Sequence, residues 1–448
     1  MIPVVTNEEM AAVDAAAPEP VEVLIGRAGA AVARCARRMM GGTYGRRVVV
    51  VAGKGNNGND GRAAATLLRR WGASVEVVDA GAAPGALAPC ALVIDAAYGT
   101  GLRGEYHAPT PPSGARVLAV DIPSGYDGNT GAALGTPMRA HRTVTFAAPK
   151  PGLLLPPCRL AAGTIEVADI GLDVGRPAIG WVQDADVVGW VSRRPADHHK
   201  WRSAVAVVGG SSGMRGAARL AGRAAMRGGA GYALWLSLDG PPDTGAAVEV
   251  VGRAFDAVAF ADDAARLDAV IVGPGLGRGV DARSALTTVL ATTCPVVADA
   301  DALWLLADLE QAATARRQAA TILTPHDGEF ARLTGSAPVT DRVAAARGLA
   351  ADRGLVVLLK GPTTVVAGPD GTVRLVTSGT EALATAGTGD VLAGLIGAFL
   401  ARGAGPLEAA AAAAHVHGRA GAVAGTTPVL AGDLPDRIGA LLVRWGLG

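Results

Sequence analysis

Short apolar, β-branched runs recur along the chain, and each gives way abruptly to a cluster of small and polar residues. RRVVVVA (46–52) is continuous in valine, the pattern of a strand buried on both faces. SVEVVD (74–79) and the runs over 91–95 and 117–121 read as further strands. Helical patterns lie before and between them: two across 7–40, and one running from the glycine-rich loop at 53–61 to Trp71. A second series starts at AVAVV (204–208), and its later strands end in GPGLG (273–277), DADAL (299–303), LTPHDGEF (323–330) and KGPTT (360–364). PDG (369–371) marks a hairpin turn. Strands alternating with helices predict an α/β protein with parallel sheets, whose ligands gather where the strands end. The polar motifs fall at those ends.

The alternation breaks once. EVADIGLD (166–173) closes the first series, and RPA (176–178) opens a connector. At 448 residues, half of them hydrophobic, the chain has material for two cores. Two domains are expected, residues 1–176 and 177–448, the first a doubly wound Rossmann-like sheet.

Charge narrows the partners. The 41 basic and 40 acidic residues nearly cancel and form no blocks, which argues against a nucleic-acid or anionic-membrane surface. No apolar stretch has membrane-spanning character, and the first ten residues lack the basic head and apolar core of a signal peptide. Cys35, Cys90, Cys158 and Cys294 lie far apart with no C-x-x-C, so reduced thiols in a cytoplasmic protein are expected. Lysine is confined to Lys54, Lys150, Lys200 and Lys360; each falls in or beside a motif, which hints that arginine would not serve there.

The stretch LATAGTGDVLAGLIGAFL (383–400) carries the most chemistry. Gly387 and Gly389 flank Thr388, and Asp390 opens an apolar run suited to a buried helix. The free N–H groups and positive dipole of a helix start hold phosphate, and Asp390 sits where a carboxylate would take a proton from a hydroxyl beside it. Its plainer reading is a helix cap. Lys360, at a strand end, reaches phosphate oxygens as a point charge, with Thr363 and Thr364 supplying hydroxyls; a solvated strand-end lysine is the plainer reading. His326 and Glu329 suit capping of the helix after Pro325.

In the first half, Gly53-x-Gly55-x-x-Gly58 with Asp79 farther on formally matches a dinucleotide fingerprint, which raises a dehydrogenase. Asn56, Asn57, Asn59 and Asp60 make this loop too polar for a pyrophosphate turn. Carboxylates also end two other strands, at Asp95 and Asp121, and Asn57, Asp95 and Ser124 are oxygen donors fit for a hard cation.

These motifs (53–61, 95–104, 120–125, TVTF at 143–146 and KPG at 150–152) resemble the epimerase domain of the NAD(P)H-hydrate repair enzymes. The resemblance implies that Asn57, Asp95 and Ser124 hold K⁺. It also implies that Asn56, Asn57, Gly58, Asn59, Asp60, Gly99, Thr100, Gly101, Leu102, Arg103, Gly104, Glu105 and Asp121 contact the hydrated nucleotide, with Asp121 catalytic. Asn59 stands where the family has glycine, and is expected to supply a left-handed backbone there. The prolines of YHAPTPPS (106–113) stand where relatives have a helix.

From about residue 199 to 421 the chain resembles the ADP- or ATP-dependent NAD(P)H-hydrate dehydratases, which look like small-molecule kinases of the ribokinase type. That resemblance implies a ribokinase-like α/β fold and makes Ala217, Gly277 and His326 substrate contacts. Lys360, Gly361, Pro362, Thr363, Thr364, Gly387, Thr388 and Gly389 become the nucleotide site, and Asp390 the base, with Mg²⁺ and ADP or ATP. The implied substrates are the hydrates of NADH and NADPH (NADHX and NADPHX), handled by a homo-oligomer that repairs them. Competing readings are a ribokinase-type kinase with a nucleotide-binding N-terminal domain, a non-catalytic nucleotide sensor, and the dehydrogenase above. Asp299 and Asp301 are without a role at this stage. His415 and His417 are two apart on a helix, and His198 and His199 adjacent, so neither pair suits a metal.

Overall fold

The computed structural model describes residues 1–448 except 196, 246, 310–316, 339 and 424–426. It separates into two compact units, Ile2–Ile179 and Gly180–Gly448. No helix among the described residues is long and apolar enough to cross a membrane.

The first unit is built on a six-stranded sheet. Its order is Ser74–Asp79, Arg47–Ala52, Leu92–Ala96, Arg116–Val120, Arg142–Phe146 and Thr164–Ala168, every neighbouring pair parallel. The chain starts at Arg47–Ala52, steps out to Ser74–Asp79, then returns to the other side at Leu92–Ala96. That reversal opens a crevice at the carboxyl ends of Arg47–Ala52 and Leu92–Ala96. Valines 48–51 are all buried, as a continuous apolar strand covered on both faces requires. Helices Val21–Met40 and Asn56–Arg70 pack closely on one face, where a methyl group at Gly29 would lie 2.5 Å from Ala63 Cβ. The proline-rich stretch after Glu105 forms no helix; Tyr106–His107 is a short strand beside Gly135–Thr136.

The second unit carries a longer mixed sheet. From Val373–Val376 it passes through Thr364–Ala367, Val356–Leu359, Thr321–Leu323, Val296–Ala298, Ala269–Val272, Ala204–Val208 and Tyr232–Ser237 to Val251–Ala254. Pairing is parallel from Val356–Leu359 onward and antiparallel in the hairpin closed at Asp370 and Gly371. Helix Thr388–Ala401 is buried over nearly its whole length, so it is apolar all round rather than on one stripe. It meets helix Arg215–Arg227 so closely that a methyl group at Gly394 would lie 2.1 Å from the Ala221 carbonyl oxygen. Alanines 409–414, in helix Pro406–Ala422, fill the layer behind it.

Candidate active sites in the two units

In the first unit the crevice holds a cavity of about 700 Å³, walled by Asn56, Asn57, Asp60, Gly99–Leu102 and Asp121 among others. Gly58, Asn59, Arg103, Gly104 and Glu105 lie outside its wall. The sequence places the polar segment in a loop, but the structure starts the helix at Asn56 with Gly55 as its cap. Asn59 therefore does not adopt a left-handed backbone. Its N–H donates to the Gly55 carbonyl at 3.1 Å, as an ordinary helical residue, and the expected positive φ is absent. Gly58 is needed for a different reason: a methyl group there would lie 2.0 Å from the Gly53 carbonyl oxygen.

Asp95 and Ser124 sit fully buried behind the wall. The Ser124 N–H donates to Asp95 Oδ2 at 2.9 Å, while Ser124 Oγ accepts from the Tyr98 N–H and donates to the Tyr98 carbonyl, each at 2.9 Å. Burial raises the Asp95 carboxyl's pKa against the pull of these bonds, and no ion pair among the described residues includes it. Both polar atoms of the Asn57 carboxamide are buried without a partner. Asn57 and Asp121 converge on Gly99: a methyl group there would lie 3.5 Å from Asn57 Oδ1 and 3.3 Å from Asp121 Oδ2. These donors thus meet around the Tyr98–Gly99 segment.

Asp121 follows its strand at φ +66°, a strained conformation for a non-glycine residue and of the kind that collects at functional sites. Its Oδ1 accepts from Lys150 Nζ at 2.6 Å and Thr145 Oγ1 at 3.0 Å, leaving Oδ2 toward Gly99. Asp60 differs. Burial, then the charges of Asp121 and Asp14, push its pKa up to about 8. Sequence reasoning passed over Asp14, on helix Asn7–Ala15, because nothing marks it apart from other helical acids; only folding brings it to this cavity. Lys150 carried a signal in the scarcity of lysine, though not its partner.

In the second unit the polar motifs meet around the start of helix Thr388–Ala401. Gly387 caps it at φ +89°, and a methyl group there would lie 2.7 Å from Leu220 Cδ1. Asp390 is in the first turn but makes no capping bond, so the cap reading does not describe it. Burial first, then Asp299, raises its pKa to about 7, with Lys360 pulling the other way. Thr388 turns its hydroxyl back onto the Leu383 and Thr385 carbonyls, at 2.9 and 3.0 Å, so the backbone rather than that hydroxyl faces a ligand.

Lys360 is no free strand-end lysine. Its Nζ lies 2.9 Å from Asp299 Oδ1 and 3.5 Å from Glu329 Oε2, and a methyl group at Gly389 would lie 3.6 Å from it. Burial disfavours the ammonium, but Asp299 and Glu329 outweigh it and hold the pKa above its usual value. Thr324 Oγ1 also donates to Asp299 Oδ1, at 2.7 Å. Ala300, at φ +49°, separates Asp299 from Asp301 and sends the second carboxylate elsewhere. Asp301 accepts from the Gly277 N–H and Arg278 Nε, at 2.9 and 2.8 Å. Both aspartates, unassigned from sequence, thus take separate partners, and the charge of each is felt at Asp390.

His326 does cap its helix, accepting on Nδ1 from the Gly328 and Glu329 N–H groups at 3.0 and 3.2 Å, while its side chain stays largely exposed. Ala217 and Gly277 flank one glycine turn: the Ser211 N–H donates to the Gly275 carbonyl at 2.7 Å, and a methyl group at Gly275 would lie 3.4 Å from Ala217 Cβ. Gly361 and Pro362 are exposed where the chain turns into Thr364–Ala367, and Thr363 is buried. His415 and His417 part company, the first bonded to Asp184 at 2.7 Å and the second buried beside the Thr388 backbone, with its pKa lowered to about 4 by burial.

Doubly wound sheets with polar strand ends, a glycine-capped helix and an unpaired carboxylate define a two-domain α/β enzyme whose second domain has the ribokinase-type fold. A solved ribokinase-like superfamily protein from Enterococcus faecalis shares that fold over 62% of this chain and 99% of its own, with TM-score 0.54 at 22% identity. The family model described as NAD(P)H-hydrate dehydratase matches residues 205–444, and that described as YjeF-related protein N-terminus matches 21–85 and 79–152. The chain belongs to the bifunctional NAD(P)H-hydrate repair enzymes. The member from Salinibacter ruber is 39% identical, over 87% of this chain and 86% of its own. The one from Mycobacterium tuberculosis H37Rv is 41% identical, over 83% and 82%. A solved ADP/ATP-dependent NAD(P)H-hydrate dehydratase from Bacillus subtilis, co-crystallized with ATP/Mg²⁺, is 30% identical with TM-score 0.51, covering 59% of this chain and 97% of its own.

Proposed function

We propose that this protein repairs hydrated NADH and NADPH in two steps. The first unit interconverts the R and S epimers at C6 of the hydrated ring. The second dehydrates the S form to NADH or NADPH at the expense of ADP or ATP, releasing AMP or ADP and phosphate. The observation that carries the dehydration is Asp390. It has no hydrogen-bond partner among the described residues, its pKa is about 7, and it stands in the first turn of a helix whose free N–H groups suit phosphate. Asp390 takes the proton from the C6 hydroxyl, which attacks the terminal phosphate of the donor. The C6–O bond of the phosphate ester then breaks, phosphate leaves with the electron pair, and C5 gives up a proton to solvent, which restores the C5–C6 double bond. The backbone at Gly387–Gly389 stabilises charge on the transferring group.

Among the described residues no group of three or more His, Cys, Asp or Glu side chains is placed to hold a metal by itself, and Asp299 and Asp301 are engaged by Lys360 and Arg278. Mg²⁺ would therefore come with the phosphates of the donor and would supply charge for the phosphoryl transfer. In the first unit Asn57, Asp95 and Ser124 would hold K⁺: a buried carboxylate without a cation and an orphaned carboxamide oxygen suit a hard monovalent ion. That ion would fix the cavity wall and offset the buried charge. The free thiols Cys35, Cys90, Cys158 and Cys294 suit the reducing cytoplasm.

Incubating the purified protein with hydrated NADH, Mg²⁺ and either ADP or ATP should restore nicotinamide absorbance and release inorganic phosphate. Accumulation of a lasting phosphoester, with no recovered absorbance, would favour the kinase reading instead.

A further inference from the structure

Epimerisation at one carbon needs an acid on one face and a base on the other, and the cavity of the first unit holds two carboxyls in unlike settings. Asp121 is anchored through Oδ1 by Lys150, which is only 2% exposed, and by Thr145. These bonds fix the carboxyl group and leave Oδ2 toward Gly99 on the cavity wall. Asp60, 7% exposed and on the same cavity wall, has no hydrogen-bond or ion-pair partner among the described residues. With no protein partner, the carboxyl is left to the cavity, where only water or a bound ligand can meet it. The charged groups sharing the cavity wall are Asp14, Glu19, Lys54, Asp79, Asp121 and Lys150. Lys150 is already engaged by Asp121, and the two charges felt most at Asp60 are those of Asp121 and Asp14. Such surroundings favour a neutral acid.

We propose that Asp60 is a second catalytic residue of the epimerase, the acid that works opposite the base Asp121; this inference rests on the epimerase reading above. Asp60 gives its proton to the C6 hydroxyl. The C6–O bond breaks with its electron pair, water leaves, and the N1 lone pair forms the N1–C6 double bond. Water adds to the opposite face of C6 and yields a proton to Asp121. Proton exchange with solvent then resets both groups, and composition and oxidation state are unchanged. In the reverse direction the two exchange roles.

The test follows conversion of the R epimer under single turnover, spontaneous conversion subtracted, in a parent chain carrying Asp390→Asn to block dehydration. Adding Asp60→Asn should lower the rate constant at saturation roughly 10²-fold or more while half-saturation moves little, and Asp60→Glu should recover part of the loss. The parent should lose rate on the alkaline side near pH 8, as Asp60 gives up its proton, and Asp60→Asn should lack that limb. A parent no faster than background defeats the epimerase reading itself. An active parent with Asp60→Asn within about threefold of it overturns the role of Asp60 alone. If Asp60→Asn does not fold, the parent profile decides: rates that stay level well above pH 8 overturn the proposal.

Discussion

Lys360 Nζ lies 2.9 Å from Asp299 Oδ1, so the lysine at the end of its strand is already held by a carboxylate from the end of the next strand but one. The pair sits beside Asp390 and acts on it from both signs: Asp299 raises its pKa and Lys360 lowers it.

That opposition makes the acid limb of dehydration adjustable in both directions. Asp390 must be ionised to act as base, so kcat/KM should rise with pH through about 7 and then level. Lys360→Met removes a charge that favours the carboxylate, and should move the limb to higher pH. Asp299→Asn removes one that opposes it, and should move the limb lower. pH profiles of the three proteins check the order; identical limbs would remove Asp390 from the rate-controlling ionisation.

Asp390→Asn should keep the fold and nucleotide binding while losing dehydration by roughly 10²-fold or more, the scale of a lost general base. Turnover near that of the parent, with an unchanged thermal transition, would leave Asp390 as a first-turn residue without chemistry.

Asp95→Ala should weaken epimerisation by about 10-fold or more, because it removes the one carboxyl group among the three proposed K⁺ donors. Dehydration of the S form should be unaffected. Crystals soaked in rubidium would show the ion beside Asn57, Asp95 and Ser124; an absence of density there would refute the site. Loss of both activities in Asp95→Ala would mean that the two units are coupled.

Gly394→Ala should destabilise the second unit by about 1–3 kcal/mol, since the added methyl group meets backbone rather than a side chain able to swing away. Thermal melting reads this directly, and an unshifted transition would show that the two helices separate easily.

Asn59→Gly should neither rescue nor harm the epimerase. Residue 59 is helical, so glycine there relieves no strain and costs about a few tenths of a kcal/mol in helix propensity. A clear rise in epimerisation rate would instead place the Asn59 side chain in the path of the substrate.

Much of this was legible in the residues themselves. Val48–Val51 has to be an interior strand because a continuous apolar run has no face to offer water. Gly387, Asp390 and Lys360 could be picked out because strand ends and helix starts are where a parallel sheet collects its ligands. What one-dimensional pattern cannot carry is the partner of a charge. Sequence offers Lys360, Asp299 and Glu329 as three separate strand-end or helix-start residues; adjacency of their strands makes them one ion-pair network. The same holds for Asp14, which reaches the cavity from a helix far along the chain, and for Asp60, whose pKa is pushed up only because packing buries it beside Asp121 and Asp14. Backbone conformation at residue 59 was likewise a tertiary decision: the glycine-rich segment reads as a loop, yet Gly58 and Gly53 pack closely enough to start the helix at Asn56. Local pattern determined the elements and where ligands gather, because periodicity and turn chemistry act between near neighbours in sequence. Protonation and pairing were left to the fold, because burial and Coulomb interaction depend on distances in space alone.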